Sequence, residues 1–139
     1  MKNLNSIESV KIEGDIIDWK LRIQQLYKDI EKWISGSNFK YKKGPVQIMY
    51  EEQMYQNKLP ITELDTLDII CDNIYILSLK PKGLWTLEGN GAIDLLHKNG
   101  NYTLIDISKP RHKPNWKIYK NIDEEPANFT KRTFLELLH

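Results

Sequence analysis

The chain has 139 residues, 20 of them basic and 19 acidic, for a formal net charge of +1. That length suits one α+β domain spanning residues 1–139 with a core of its own. The even charge balance excludes a global field drawing in nucleic acid or a membrane surface, so any such partner must meet a local patch.

Apolar residues make up 40% and charged residues 28%, the proportions of a folded globular protein. The N-terminus MKNLNSIESVKIEG lacks the apolar core of a secretory signal, and no apolar run approaches the about 20 residues of a membrane span. The expectation is a cytoplasmic protein with no membrane partner. A single cysteine, Cys71, excludes an internal disulfide or a cysteine-rich zinc site, and its place in the run LDIIC reads as a buried, inert thiol. Seventeen of the 20 basic residues are lysine and only two residues are alanine, a composition that goes with AT-rich bacterial genomes.

Residues 1–14 read as polar and irregular, with Val10 and Ile12 in weak alternation as a short edge strand. From Asp15 the pattern is helical: Ile16, Trp19, Ile23, Leu26, Ile30 and Trp33 recur at spacings of three and four on one face. Asp15 suits the N-cap and Ser35-Gly36 the stop. The row is too short for a long coiled coil, and packing on the protein's own sheet is the expected use.

Pro45–Tyr50 alternates as a strand, with Val46, Ile48 and Tyr50 on one side. Glu51–Asn57 suits one helical turn before Pro60, which turns Leu59 away from helix. Leu67–Cys71 pairs with Ile74–Lys80 across Asp72-Asn73, two residues that accept the positive φ of a tight hairpin. Strands are then predicted at Gly83–Leu87, Ala92–His97 and Tyr102–Ile107, separated by glycine-bearing turns. Trp116–Tyr119 adds a last strand, and Thr130 caps a short final helix with Phe129 and Phe134 as its hydrophobic staple. The architecture that follows is an antiparallel β-meander of about five to seven strands, with the long amphipathic N-terminal helix on one face and a short C-terminal helix.

Two constellations could carry function. In GAIDLLHKNGNYTLIDIS, Asp94 and Asp106 have eleven residues between them. A two-residue turn at Asn99-Gly100 sets them on opposite faces of the hairpin, and a three-residue turn Lys98-Asn99-Gly100 sets them on one face. The apolar pattern favours the second, gathering Ile93, Leu95, Ile105 and Ile107 on one side. This stretch resembles part of the PD-(D/E)XK nuclease core, in which an aspartate on one strand and an acidic-x-Lys on the next hold a divalent metal. The resemblance implies Asp94 and Asp106 as ligands of Mg or Mn, but Ser108 stands where that family has lysine. Lys80 or Lys109 would have to supply the positive charge from elsewhere. Aspartates that pair with lysines or cap loops are the plainer reading.

The other constellation is basic and aromatic. Lys109, Arg111, His112, Lys113 and Lys117 surround Trp116, and Lys80 and Lys82 precede Trp85. Such a patch holds phosphates while a ring stacks, and serves nucleic acid, an anionic ligand or an acidic protein partner. No nucleic-acid-binding motif accompanies it, and solvated loop lysines explain it as well.

The stretch GLW, then four residues, then NG-x-IDL (Gly83, Leu84, Trp85, Asn90, Gly91, Ile93, Asp94, Leu95) is similar to one found in small bacterial single-domain proteins of no assigned activity. The reading that results is a non-catalytic binding or accessory protein of bacterial type. It acts through a partner protein or a small anionic ligand, with Lys80, Lys82, Trp85, Tyr102, Arg111, Lys113 and Trp116 as contact residues and no cofactor. The rival is a degenerate metal-dependent nuclease centred on Asp94 and Asp106, with Lys80 supplying the positive charge.

Overall fold

The computed structural model describes residues 2–121 and 123–139. In chain order they form helix α1 (Lys2–Ile34), strands β1 (Lys40–Lys43) and β2 (Gln47–Met49), helix α2 (Glu52–Gln56), strands β3 (Thr62–Leu64), β4 (Leu67–Cys71), β5 (Ile74–Gly83), β6 (Ala92–His97), β7 (Gly100–Asp106), β8 (Trp116–Tyr119) and β9 (Ala127–Asn128), and helix α3 (Lys131–Leu137). Seven strands make one antiparallel sheet in the order β1-β4-β5-β6-β7-β8-β9, and β2 and β3 pair as a separate ribbon. The fold is α+β, with a long N-terminal helix, a short C-terminal helix and an antiparallel meander from β4 onward.

The turns behave as their residues dictate. Asp72 and Asn73 both take positive φ, at 52° and 64°, and close the β4–β5 hairpin with Cys71 opposite Ile74. Thr130 Oγ1 accepts from Thr133 N to start α3, and the Phe129 and Phe134 rings meet edge to face at 6.0 Å.

The apolar row of α1 lies across the sheet. Ile12, Ile16, Trp19, Ile23, Leu26, Ile30 and Ile34 are buried with Leu77, Leu79, Ile93, Leu95, Leu104 and Ile118 in one hydrophobic cluster. Trp33 packs at the far end on Phe129 and Phe134, at 5.8 and 5.6 Å between ring centroids, and so docks α3 against α1.

Four expectations are corrected. The helix does not begin at Asp15 but runs unbroken from Lys2, and the strand expected at Val10–Ile12 is helical. Ile12 continues the buried row at helical spacing, and Gly14 interrupts it without ending it, because one glycine costs a helix only about 1 kcal/mol. In β2 the alternation is inverted: Met49 is buried, whereas Val46, Ile48 and Tyr50 face outward. Gly83–Leu87 is not a strand; past Gly83 the chain turns on Thr86, whose hydroxyl bonds both Gly89 O and Gly89 N. Cys71 is only half-buried, at the end of β4.

Candidate functional site

The most concentrated polar chemistry lies where α1 crosses the end of β7. Side chains three and four apart share a helix face, so Arg22 emerges among Trp19, Ile23 and Leu26 and is drawn into the core with them, 5% exposed. Its Nε donates to Asp18 Oδ2 one turn earlier at 2.9 Å. Its Nη1 donates to Asn90 O and to Asp106 Oδ2, both at 2.6 Å. Asp106, the last residue of β7, is fully buried. Its other carboxylate oxygen accepts from Ser108 N and Asn115 N at 2.9 and 3.0 Å. The backbone joins in, with Asn90 N donating to Asp106 O and Asp106 N to Gly91 O. One carboxylate thus ties α1, the loop before β6, and both ends of the loop leading to β8.

Aromatic rings close this cluster. The Arg22 guanidinium lies 4.9 Å from the Trp19 ring centroid, and Trp19 tilts against Trp116 at 6.0 Å. Trp19 also packs closely on Gly91, where a Cβ would stand 2.3 Å from a ring carbon and where φ is +117°. Trp19 Nε1, Arg22 Nη2, Asn90 Nδ2 and Ser108 Oγ have no hydrogen-bond partner among the described residues. Two carboxylates, Asp18 and Asp106, already answer the one charge of Arg22, so the guanidinium is chiefly a structural cation, and only its Nη2 is left without an acceptor.

Beside the cluster opens a groove of about 690 Å³ between α1 and the β8–β9 edge. Leu26, Trp33, Trp116 and Phe129 form its apolar walls, and Gln25, Asn115, Asn128 and Thr130 supply polar atoms. Lys113 and Asp29, which accepts from Gln25 Nε2, bring one charge of each sign to its lining. Lys113 has no ion-pair partner among the described residues. The walls are held rigidly, since Trp33 is locked by Phe129 and Phe134, and Trp116 by Trp19.

The residues expected to form one contact surface are divided between places. Lys113 and Trp116 meet in this groove. Arg111 does not join them: with φ +65° it reaches back to α1, donating to Asp15 Oδ1 at 3.2 Å with its guanidinium over Gly14. Tyr102 and Trp85 are half-buried against the core. Lys80 lies on the opposite sheet face as the cross-strand neighbour of Asp94. Lys82 borders a second hollow of about 770 Å³ on that face, whose rim carries Glu88, Asp123, Glu124 and Glu125 and is set against anions.

The expectation that Asp94 and Asp106 share a face is overturned. Strands β6 and β7 turn on Lys98-Asn99, with His97 opposite Gly100 and Asp94 opposite Thr103. Asp94 therefore sides with Ala92, Thr103 and Ile105, while Asp106 sides with Ile93, Leu95 and Leu104 under α1. The two carboxylates stand on opposite faces of the hairpin. Among the described residues no group of three His, Cys, Asp or Glu side chains converges as a metal site requires.

Arg22 escaped the sequence reading, although a cation set between Trp19 and Ile23 on an otherwise apolar row was the visible signal of a buried partner. Comparison of the chain with protein families, with curated proteins and with solved structures found no match.

Proposed function

We propose that the protein is a non-catalytic binding protein whose ligand occupies the groove between α1 and β8. The ligand's apolar, preferably aromatic, body lies between Trp33, Trp116 and Phe129, and an anionic group on it pairs with Lys113. The observation that supports this reading most is the conjunction of a preformed aromatic wall with an unpaired cation in its lining. The groove's size falls within the about 300–1,000 Å³ usual for small-molecule sites. Its chemistry is of the common kind, in which apolar walls supply affinity and a few polar groups fix orientation. Arg22 holds the floor in shape and Lys113 selects for charge.

The test uses the protein's own fluorescence, because Trp33 and Trp116 line the groove. Aromatic carboxylates and phosphates are titrated beside their neutral amide or alcohol counterparts. Quenching should favour the anions, and Lys113→Glu should weaken anion binding by at least about tenfold while leaving neutral compounds unaffected. No saturable quenching by any member of the panel, or equal affinity for both series in wild type, defeats the reading.

A further inference from the structure

The face of α1 turned away from the sheet carries a second apolar row. Ile7, Val10, Ile17 and Leu21 are 69%, 69%, 59% and 58% exposed. With Gly14 they succeed one another at spacings of three, four, three and four. At about 100° per residue this row lies diametrically opposite the buried row of Ile12, Ile16, Trp19, Ile23 and Leu26. An apolar seam of that spacing and narrowness is what one additional helix covers.

We infer that a second copy of this chain covers it, the two α1 helices packing antiparallel about a two-fold axis beside Gly14 and Ile17. In that register Val10 faces Leu21 of the second copy, Gly14 faces its Ile17, and Ile7 faces its Gln24. Arg111, whose guanidinium lies over Gly14 and pairs with Asp15, interrupts the apolar row at that point and must swing aside toward Asp15 for the second helix to approach. The charges flanking the seam decide both the occupant and its direction. Lys11 and Asp18 line one side, Glu13 and Lys20 the other.

In the antiparallel pair Glu13 meets Lys20 of the second copy, Lys11 meets its Asp18, and the two-fold axis repeats both contacts. A parallel pair would instead set Glu13 against Asp18 of the second copy, twice, and like charges there repel. A surface that is complementary to itself under a two-fold rotation is the requirement for an isologous dimer. The charged groups are free to take part. Lys11, Glu13 and Lys20 are exposed, and Asp18 gives only Oδ2 to Arg22, its Oδ1 having no partner among the described residues.

Sedimentation equilibrium on the full chain tests the dimer. Wild type should associate reversibly with a dissociation constant in the micromolar range, as suits a short seam, and Ile17→Lys should be monomeric. Glu13→Lys and Lys20→Glu should each weaken association at least about tenfold. The combined Glu13→Lys/Lys20→Glu chain should recover it, because the same pairs form with their signs exchanged. All three positions are exposed, and far-UV circular dichroism checks that each of the four variants keeps its helix.

Direction is read from a spin label at Lys28→Cys in a Cys71→Ser background. Antiparallel packing puts the two labels roughly 37 Å apart along the axis, from the 1.5 Å rise per residue, and parallel packing puts them side by side. A chain that stays monomeric at the highest soluble concentration overturns the proposal. So does a dimer indifferent to Ile17→Lys, a double charge exchange that fails to restore association, or a short label distance.

Discussion

Replacing Arg22 with methionine asks whether the buried ion cluster holds the helix to the sheet. Methionine keeps much of the side-chain volume against Trp19 but leaves Asp106, which is 0% exposed, with Oδ2 unpaired and Asn90 O without its donor. Removing one partner of a buried pair costs about 3–5 kcal/mol, against a total stability of about 5–15 kcal/mol for an ordinary domain. With a urea dependence of about 2 kcal/mol per molar, the unfolding midpoint should fall by roughly 1.5–2.5 M.

Asp106→Asn keeps an acceptor for Ser108 N and Asn115 N, and Arg22 keeps Asp18, so its cost is smaller, about 1–3 kcal/mol. The double variant buries no uncompensated carboxylate at position 106 and should lose at least about 1.5 kcal/mol less than the two single losses added together. Urea unfolding followed by tryptophan emission is the assay, because Trp19 and Trp116 stand 6.0 Å apart beside the cluster. A loss below about 0.5 kcal/mol for Arg22→Met, or strict additivity in the cycle, would refute the reasoning. The salt response is a further check: 0.5 M sodium chloride should weaken the exposed Arg111–Asp15 pair and leave the buried one unaffected.

Gly91→Ala should cost about 2 kcal/mol or more, since it strains a φ of +117° and drives a methyl group into the Trp19 ring; thermal unfolding with near-ultraviolet circular dichroism would show both the loss and the displaced tryptophan. Tyr27 is buried, donates to Asp65 O at 2.8 Å, and has its hydroxyl pKa raised well above 10.0, by burial first and then by the charges of Asp65 and Asp68. The folded state therefore keeps this proton while the unfolded chain releases it above about pH 10. Tyr27 contributes its full stability below that pH and loses it at up to about 1.4 kcal/mol per pH unit above it. The difference in unfolding free energy between wild type and Tyr27→Phe should shrink steadily from pH 10 upward, and a flat difference would contradict the burial.

Elements governed by neighbours in sequence were legible without the structure. The Trp19–Ile30 row follows from a period of three and four, the Asp72-Asn73 hairpin from the tolerance of both residues for positive φ, and the α3 start from Thr130 and its phenylalanine staple. The groove was half legible: Lys113 and Trp116 are close in sequence and meet there, but Trp33 and Phe129 arrive from elements far apart in the chain.

The β6–β7 register was misread for a physical reason. Hydrophobic alternation assumes that a charged residue faces water, and Asp106 faces the core because Arg22, 84 positions away, neutralises it there. Counting Asp106 as a surface residue shifts the pairing by one and moves every side chain of the strand to the other face. The sequence by itself determined the local conformations and which helix face is apolar, since both depend on residues within a turn or two. Only the tertiary structure decided which face of the hairpin is buried and what Asp106 holds, because burial of a charge depends on a partner that local pattern cannot reveal.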